Sequence, residues 1–231
     1  MEWGKILVNS FGCSTIVGVV CKDGIILGTE KIVQNKMMVS GTDKRVYNVT
    51  KQIGCVCNGL VPDGRAMMHR AREEAAQYEQ MFGVKMPGSI LADRIALQFQ
   101  MHTIYSSYRP YGTSIIFATH DIMKGAQLWM VEPSGQCFQY FGCASGRGKQ
   151  LARNEIEKGK FREQTVAEAM PKVAKMLLKA QDEMREKKQE LELAVLSAET
   201  NWTSRIVDRV QSDAITAQAL NEIENEDEEM S

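Results

Sequence analysis

The sequence predicts an α+β protein built as a four-layer αββα sandwich, two antiparallel sheets packed on each other with helix pairs on the outer faces. Three observations predict it. Strand-like runs come in hairpins, helical runs come in pairs, and this order argues against a parallel βαβ sheet. Two packed sheets under helix pairs would also bury every apolar surface that the pattern creates.

The first hairpin is read from residues 13–21, short, apolar and β-branched, and residues 24–29, joined by Lys22-Asp23-Gly24. Strand-like runs follow at 46–49 and 53–60. The period then changes. Over 64–82, Met67, Ala71, Ala75, Tyr78 and Phe82 recur at helical spacing, and Gly83 ends the run. A second helical pattern carries Ile90, Leu97, Met101, Ile104 and Tyr108 and stops before Pro110.

Strands resume at 113–119, 127–131 and 136–141, the last two joined by Pro133-Ser134-Gly135. Helical sequence returns over 146–158. Thr165 with Glu168 three residues on is a capping-box pattern, opening a helix whose apolar face is Val166, Met170, Val173, Leu177 and Met184. Pro171 lies inside that helix and is expected to kink or strain it. A strand at 191–197 and a shorter one near Ile206 close the ordered part. Residues 221–231 carry six acidic side chains and read as a solvated tail. The domain reading is an irregular or truncated segment at 1–12, one domain at 13–215 and an acidic tail at 216–231.

Composition narrows the function classes. A net charge of −1 and a pI near 6.3 give no basic field for nucleic acid. No stretch reads as a signal peptide or a bilayer span, so the expectation is a reducing compartment, cytoplasm and nucleus, with no membrane partner. Cys55-x-Cys57 has no second ligand pair at metal spacing and reads as buried strand. His69, His102 and His120 are scattered and form no ligand set. Gly146-Arg147-Gly148-Lys149 misses the phosphate-loop spacing, with Gln150 where a hydroxyl is required. No metal and no cofactor are expected.

Specific residues then add a resemblance. Cys21-Lys22-Asp23-Gly24 with Gly28-Thr29-Glu30-Lys31 resembles the first hairpin of proteasome alpha-type subunits. Residues Asn58 to Arg65, N-G-L-V-P-D-G-R, resemble that family's S-G-L-x-A-D-A-R segment. Arg109-Pro110-Tyr111-Gly112-Thr113-Ser114 matches its R-P-Y-G-x-S motif, and Glu132-Pro133-Ser134-Gly135 resembles its D-P-S-G turn. Gly142-Cys143-Ala144 and Gly148-Lys149 fit the start of the family's third helix. Within the family, Glu190-Leu191-Glu192-Leu193, Ala126-Gln127-Leu128, Glu155-Ile156-Glu157-Lys158 and the acidic end are similar to the alpha type-3 group. The Y-D-R stretch, S-P-D-G-R turn and Q-V-E-Y-A helix that precede this pattern in alpha subunits do not occur in the sequence, which meets the pattern near Ser14. Either the sequence is truncated or the subunit lacks a gating tail.

The resemblance implies the N-terminal-nucleophile hydrolase fold and a non-catalytic ring subunit. Its work would be scaffolding, activator docking and control of substrate access in ubiquitin-dependent protein degradation. The implied partners are other alpha and beta subunits and the C-termini of regulatory ATPases or activators. Lys44, or Arg45 one residue on, resembles the basic residue that receives an activator's terminal carboxylate, with Gly59 and Leu60 lining the same pocket. Arg109, Pro110, Tyr111 and Gly112 resemble the motif that braces a neighbour's gate segment, and the helices at 65–82 and 91–108 are implied to contact adjacent subunits.

The alternative is an enzyme, a threonine-type peptidase with Thr15 or Ser14 as nucleophile. Such chemistry needs a chain that starts at the nucleophile, so that its α-amine serves as base, plus tuning Asp and Lys groups. Cys13 and Ser14 precede these residues instead of Gly, Glu30 stands at the Asp position, and Lys44 or Arg45 at the Lys position. No catalytic residue is therefore assigned.

Overall fold

A computed structural model describes residues 14–32, 37–39, 41–180 and 189–229. The expectations for residues 1–12 and for Met184 lie outside the described residues.

The first sheet contains β1 (Ile16–Val20), β2 (Gly24–Ile32), β8 (Gly142–Ser145), β9 (Gln189–Ser197) and β10 (Arg205–Ile206), in the order β10-β9-β2-β1-β8. The second contains β3 (Val46–Thr50), β4 (Ile53–Cys57), β5 (Ile115–Asp121), β6 (Gly125–Val131) and β7 (Cys137–Tyr140), in sequence order. Every pairing is antiparallel. Helices α1 (Val61–Phe82) and α2 (Gly88–Ile104) cover the second sheet. Helices α3 (Lys149–Gly159), α4 (Val166–Lys179) and α5 (Arg209–Glu229), with a 3-10 turn at Phe161–Glu163, cover the first.

The alternation of side chains explains the layers. In β1, Val17 and Val19 face the helices, whereas Ile16 joins the layer between the sheets. In β5, Ile116 and Ala118 point between the sheets, and Ile115 and Phe117 point towards α1 and α2. Cys55 and Cys57, two apart in β4, share that helix-facing side, with the Cys55 Sγ 3.2 Å from the Met68 Sδ. Burial pushes the Cys55 thiol well above its ordinary pKa, which keeps it a neutral core group. Gly18 permits the sheets to approach, because a Cβ there would press into the side chains of Leu128 and Ile116.

Helix ends follow their sequence signals. Pro62 sits in the first turn of α1, and Gly83 closes it at φ +70° with its N–H on the Glu79 carbonyl. Thr165 and Glu168 form the reciprocal capping box of α4. That helix runs through Pro171 as one element.

Three expectations change. The strand β8 lies between the strand expected at 136–141 and the helix expected from 146, where no strand was read, and α3 begins at Lys149. The face expected to bury α2 is its outer one. Leu91, Ala92, Ile95, Ala96 and Phe99 are the buried residues, while Ile90, Leu97, Met101, Ile104 and Tyr108 are exposed, and the helix ends at Ile104. Finally, the segment expected as a tail from residue 216 belongs to α5. Ala219 and Ile223 are buried against the first sheet's helix layer, so a boundary at 215/216 falls inside a helix, and among the described residues this face carries three helices instead of a pair.

Candidate docking site and the buried threonine

Gly59 and Leu60 form the short connection from β4 into α1, and residues 109–112 form the connection from α2 into β5. The sandwich brings these two loops together. Leu60 N donates to the Gly112 carbonyl at 2.9 Å, and Gly59 adopts φ +81°, where a Cβ would overlap that same carbonyl oxygen. Asn58, 1% exposed, ties the loops to both sheets. Its Oδ1 accepts from Ser114 N at 3.0 Å, its Nδ2 donates to the Ser145 hydroxyl at 3.1 Å, and its carbonyl accepts from the Thr113 hydroxyl at 2.6 Å.

Asp63 is the centre of this junction. It is 5% exposed in the first turn of α1 and receives both arms of Arg109, at 2.7 and 2.6 Å, and Gly112 N at 2.8 Å. Burial pushes its carboxyl up, but the Arg109 and Gly112 hydrogen bonds outweigh burial and hold it below the ordinary carboxylate range. Tyr111 packs with its ring centroid 5.4 Å from Phe99 and 4.4 Å from His102, which fixes the loop on α2. Pro110 is half-buried, and its carbonyl accepts from the Arg109 Nη1.

Of the two basic candidates, Arg45 is the one beside Gly59. It precedes β3, and its Nη1 donates to the Gly59 carbonyl at 3.3 Å. Its backbone N–H donates to Glu192 Oε2 at 3.0 Å, and the same oxygen holds Lys31 Nζ at 2.8 Å. Lys44 turns to solvent, and its carbonyl accepts from the Tyr47 hydroxyl at 2.6 Å. Arg45, Gly59 and Leu60 are therefore brought together beside residues 109–112, with Gly59 buried and the Arg45 guanidinium also facing Asp43 Oδ2 at 3.8 Å.

The second region is the start of β1. Thr15 is fully buried, its backbone N–H donates to Glu30 Oε1 at 3.1 Å, and its hydroxyl donates to the same oxygen at 3.1 Å. Gly148 N donates to that hydroxyl at 3.0 Å. Gly146, at φ +110°, lies against the Ser14 carbonyl, where any side chain would collide. Glu30 is 2% exposed, and burial pushes its carboxyl up to about 7 against the pull of Thr15, Arg147 and Arg45. Its Oε2, like the Ser14 hydroxyl, has no hydrogen-bond partner among the described residues.

Elsewhere, among the described residues, no His, Cys, Asp and Glu are grouped to hold a metal, and no helix is long and apolar enough to cross a membrane. His120 stacks on Trp202 at 3.7 Å, His102 joins the Tyr111 cluster, and His69 is exposed on α1. Sequence reasoning missed Asn58 and Asp63 as site residues. The signal for Asp63 was present: an acidic residue directly after Pro in a helix's first turn.

The proteasome subunit family matches residues 11–196. Proteasome subunit alpha type-3 of Dictyostelium discoideum is 42% identical over 221 residues, covering 96% of this chain and 88% of that protein. Its counterpart in Oryza sativa subsp. japonica is 41% identical over 221 residues, covering 95% and 88%. A probable proteasome subunit alpha type-7 of Schizosaccharomyces pombe is 39% identical over 188 residues, covering 81% and 74%. The motifs around Asn58, Arg109 and Gly135, the two five-stranded antiparallel sheets and these similarities agree: the chain belongs to the proteasome subunit family, and within it resembles the alpha-type subunits.

Proposed function

We propose that this alpha-type proteasome subunit supplies architecture and a docking surface, and performs no peptide-bond chemistry of its own. One observation carries the proposal. An N-terminal nucleophile needs a free α-amine and an accessible hydroxyl, whereas the nitrogen of Thr15 is a peptide N–H held by Glu30 and its hydroxyl is enclosed between Glu30 and Gly148. Glu30 accepts both bonds through one oxygen and so anchors the strand. Intact-mass measurement of the mature chain tests this. A chain beginning at Thr15, with peptidase activity that Thr15→Ala abolishes, would overturn it.

The same reading gives the exposed surfaces their work. Family membership implies assembly with other proteasome subunits. The apolar outer face of α2, with Leu97 57% and Ile104 65% exposed, is the kind of surface that a subunit buries against a neighbour. Arg45 beside Gly59 and Leu60 supports docking of an activator's terminal carboxylate. The guanidinium offers charge, and the half-buried Leu60 beside it offers apolar contact. The Asp63-braced loop at 109–112 supports bracing of a neighbour's gate segment. In this role the subunit works in ubiquitin-dependent protein degradation in cytoplasm and nucleus.

A further inference from the structure

Helix α1 has two flanks of different charge. Towards α2, Arg70 pairs with Glu73 and Glu74, and Arg94 of α2 reaches Glu74 as well, so charge there is matched. On the other flank, beside the edge strand β3, Arg65, His69 and Arg72 follow one another at helical spacing, all exposed. Lys44 and Lys51, also exposed, stand at the two ends of β3.

Among the described residues, no carboxylate pairs with Arg65, Arg72, Lys44 or Lys51. Acids close to them in sequence face other cations: Asp43 faces Arg45, Asp63 holds Arg109, and Glu73 holds Arg70. The next acid on this flank, Glu79, lies two turns beyond Arg72, about 10 Å along the helix. The two arginines are anchored on neutral groups instead. Arg72 donates through Nε and Nη2 to the Asn48 carbonyl at 3.1 and 2.9 Å, which fixes its guanidinium plane and leaves Nη1 available. Arg65 hydrogen-bonds the Tyr47 side chain, whose hydroxyl donates to the Lys44 carbonyl at 2.6 Å. Cations held in this way keep their full charge and lose little freedom when an anion arrives.

We propose that this flank of α1 receives a carboxylate-rich segment of another proteasome subunit. Family membership implies such neighbours, and complementarity of charge selects an acidic surface among theirs. Arg65 and Arg72 are about 10 Å apart along the helix axis, a span matched by carboxylates about three residues apart in an extended segment. Nucleic acid suits the flank less well, because the chain as a whole has a net charge of −1 and a pI near 6.3. The surface is separate from the Arg45 docking role, since Arg45 turns to Gly59 and Asp43.

Binding of a fluorescein-labelled Glu-Ala-Glu-Glu-Ala-Glu peptide to the full chain, followed by anisotropy at low and physiological salt, tests the surface. Arg65→Glu combined with Arg72→Glu is expected to weaken binding about tenfold or more, the worth of two charge-assisted contacts. Lys85→Glu combined with Lys149→Glu makes the same change of net charge elsewhere, and should alter binding less than about threefold. In the assembled particle, carbodiimide coupling is expected to join Lys44 or Lys51 to a carboxylate of a neighbouring subunit, identified by peptide mass spectrometry. Equal losses in the two double variants, equal affinity for Gln-Ala-Gln-Gln-Ala-Gln, or tighter binding of a single-stranded oligonucleotide than of the peptide would each overturn the proposal. So would a particle in which other lysines of the chain couple to neighbours and neither Lys44 nor Lys51 does. Should the charge-reversed variant fail to fold, Arg65→Gln and Arg72→Gln serve in its place, and undiminished binding in both overturns the proposal. Peptide binding needs no particle, so a failure of assembly and a failure of this surface are told apart.

Discussion

The Asp63 carboxylate receives both arms of the Arg109 guanidinium and, on Oδ2, the Gly112 backbone N–H. One buried acid thereby joins the first turn of α1 to the loop that follows α2, and two loops distant in sequence become one surface.

Removing the acid leaves Gly112 N without its partner and frees the loop. Asp63→Ala is expected to cost about 2–4 kcal/mol in urea unfolding, as for a truncated buried charge pair. Arg109→Ala leaves the buried Asp63 carboxylate with the Gly112 N–H alone, so it should cost a comparable amount. Because Asp63 is held below its ordinary range, its contribution is present above the unfolded carboxylate pKa and lost as the pH falls below it. The acid limb of an unfolding-versus-pH curve should flatten in Asp63→Asn.

Gly59→Ala meets two penalties at once, a left-handed backbone and an overlap with the Gly112 carbonyl. A loss of about 2 kcal/mol or more in chemical unfolding is expected. A loss below about 0.5 kcal/mol would mean that the two loops separate without cost.

Glu30 titrates in the opposite sense to Asp63. Its folded pKa of about 7 lies above the ordinary glutamate value of 4.5, so the folded state holds the proton more tightly. Its stabilisation is complete below the unfolded value and disappears as the pH rises through about 7. Glu30→Gln, which keeps an acceptor for Thr15, should therefore be more stable than the parent at pH 8 and indistinguishable from it at pH 4. The difference should not exceed about 3 kcal/mol. Thermal unfolding across that range measures it.

The proposed docking role distinguishes two adjacent cations. Arg45→Ala is expected to weaken binding of an activator C-terminal peptide by about 1.5–3 kcal/mol, whereas Lys44→Ala should leave it unchanged. Equal losses in the two variants would remove Arg45 from its assigned role.

Leu97→Glu and Ile104→Glu place charge on the outer face of α2 without touching its buried face. The isolated chain should melt within about 0.5 kcal/mol of the parent, but fail to enter a reconstituted particle on size-exclusion chromatography.

Much of this was legible in the residues. Hairpin strands, capped helices and the Thr165–Glu168 box depend on interactions within a few positions, so periodicity and turn chemistry identify them. The four-residue β8 has no such local signal, because its pairing partner β1 lies far away in the chain. The faces of α2 defeated periodicity for another reason. Both are apolar, since one meets the domain's own core and the other is left at the surface. In α5, Ile215, Ala219 and Ile223 mark only a narrow stripe in a polar, acidic sequence, and its helix rests on packing against α4.

By itself, the sequence determined the succession of strands and helices, the four-layer arrangement and the family motifs, because each follows from local periods and short residue strings. Tertiary structure alone decided which cation stands at Gly59 and which face of α2 looks outward. It also decided that Asn58 and Asp63 bind the two loops together and that Thr15 is enclosed by Glu30 and Gly148. Those outcomes depend on distances between residues remote in the chain, which are fixed only when the two sheets pack.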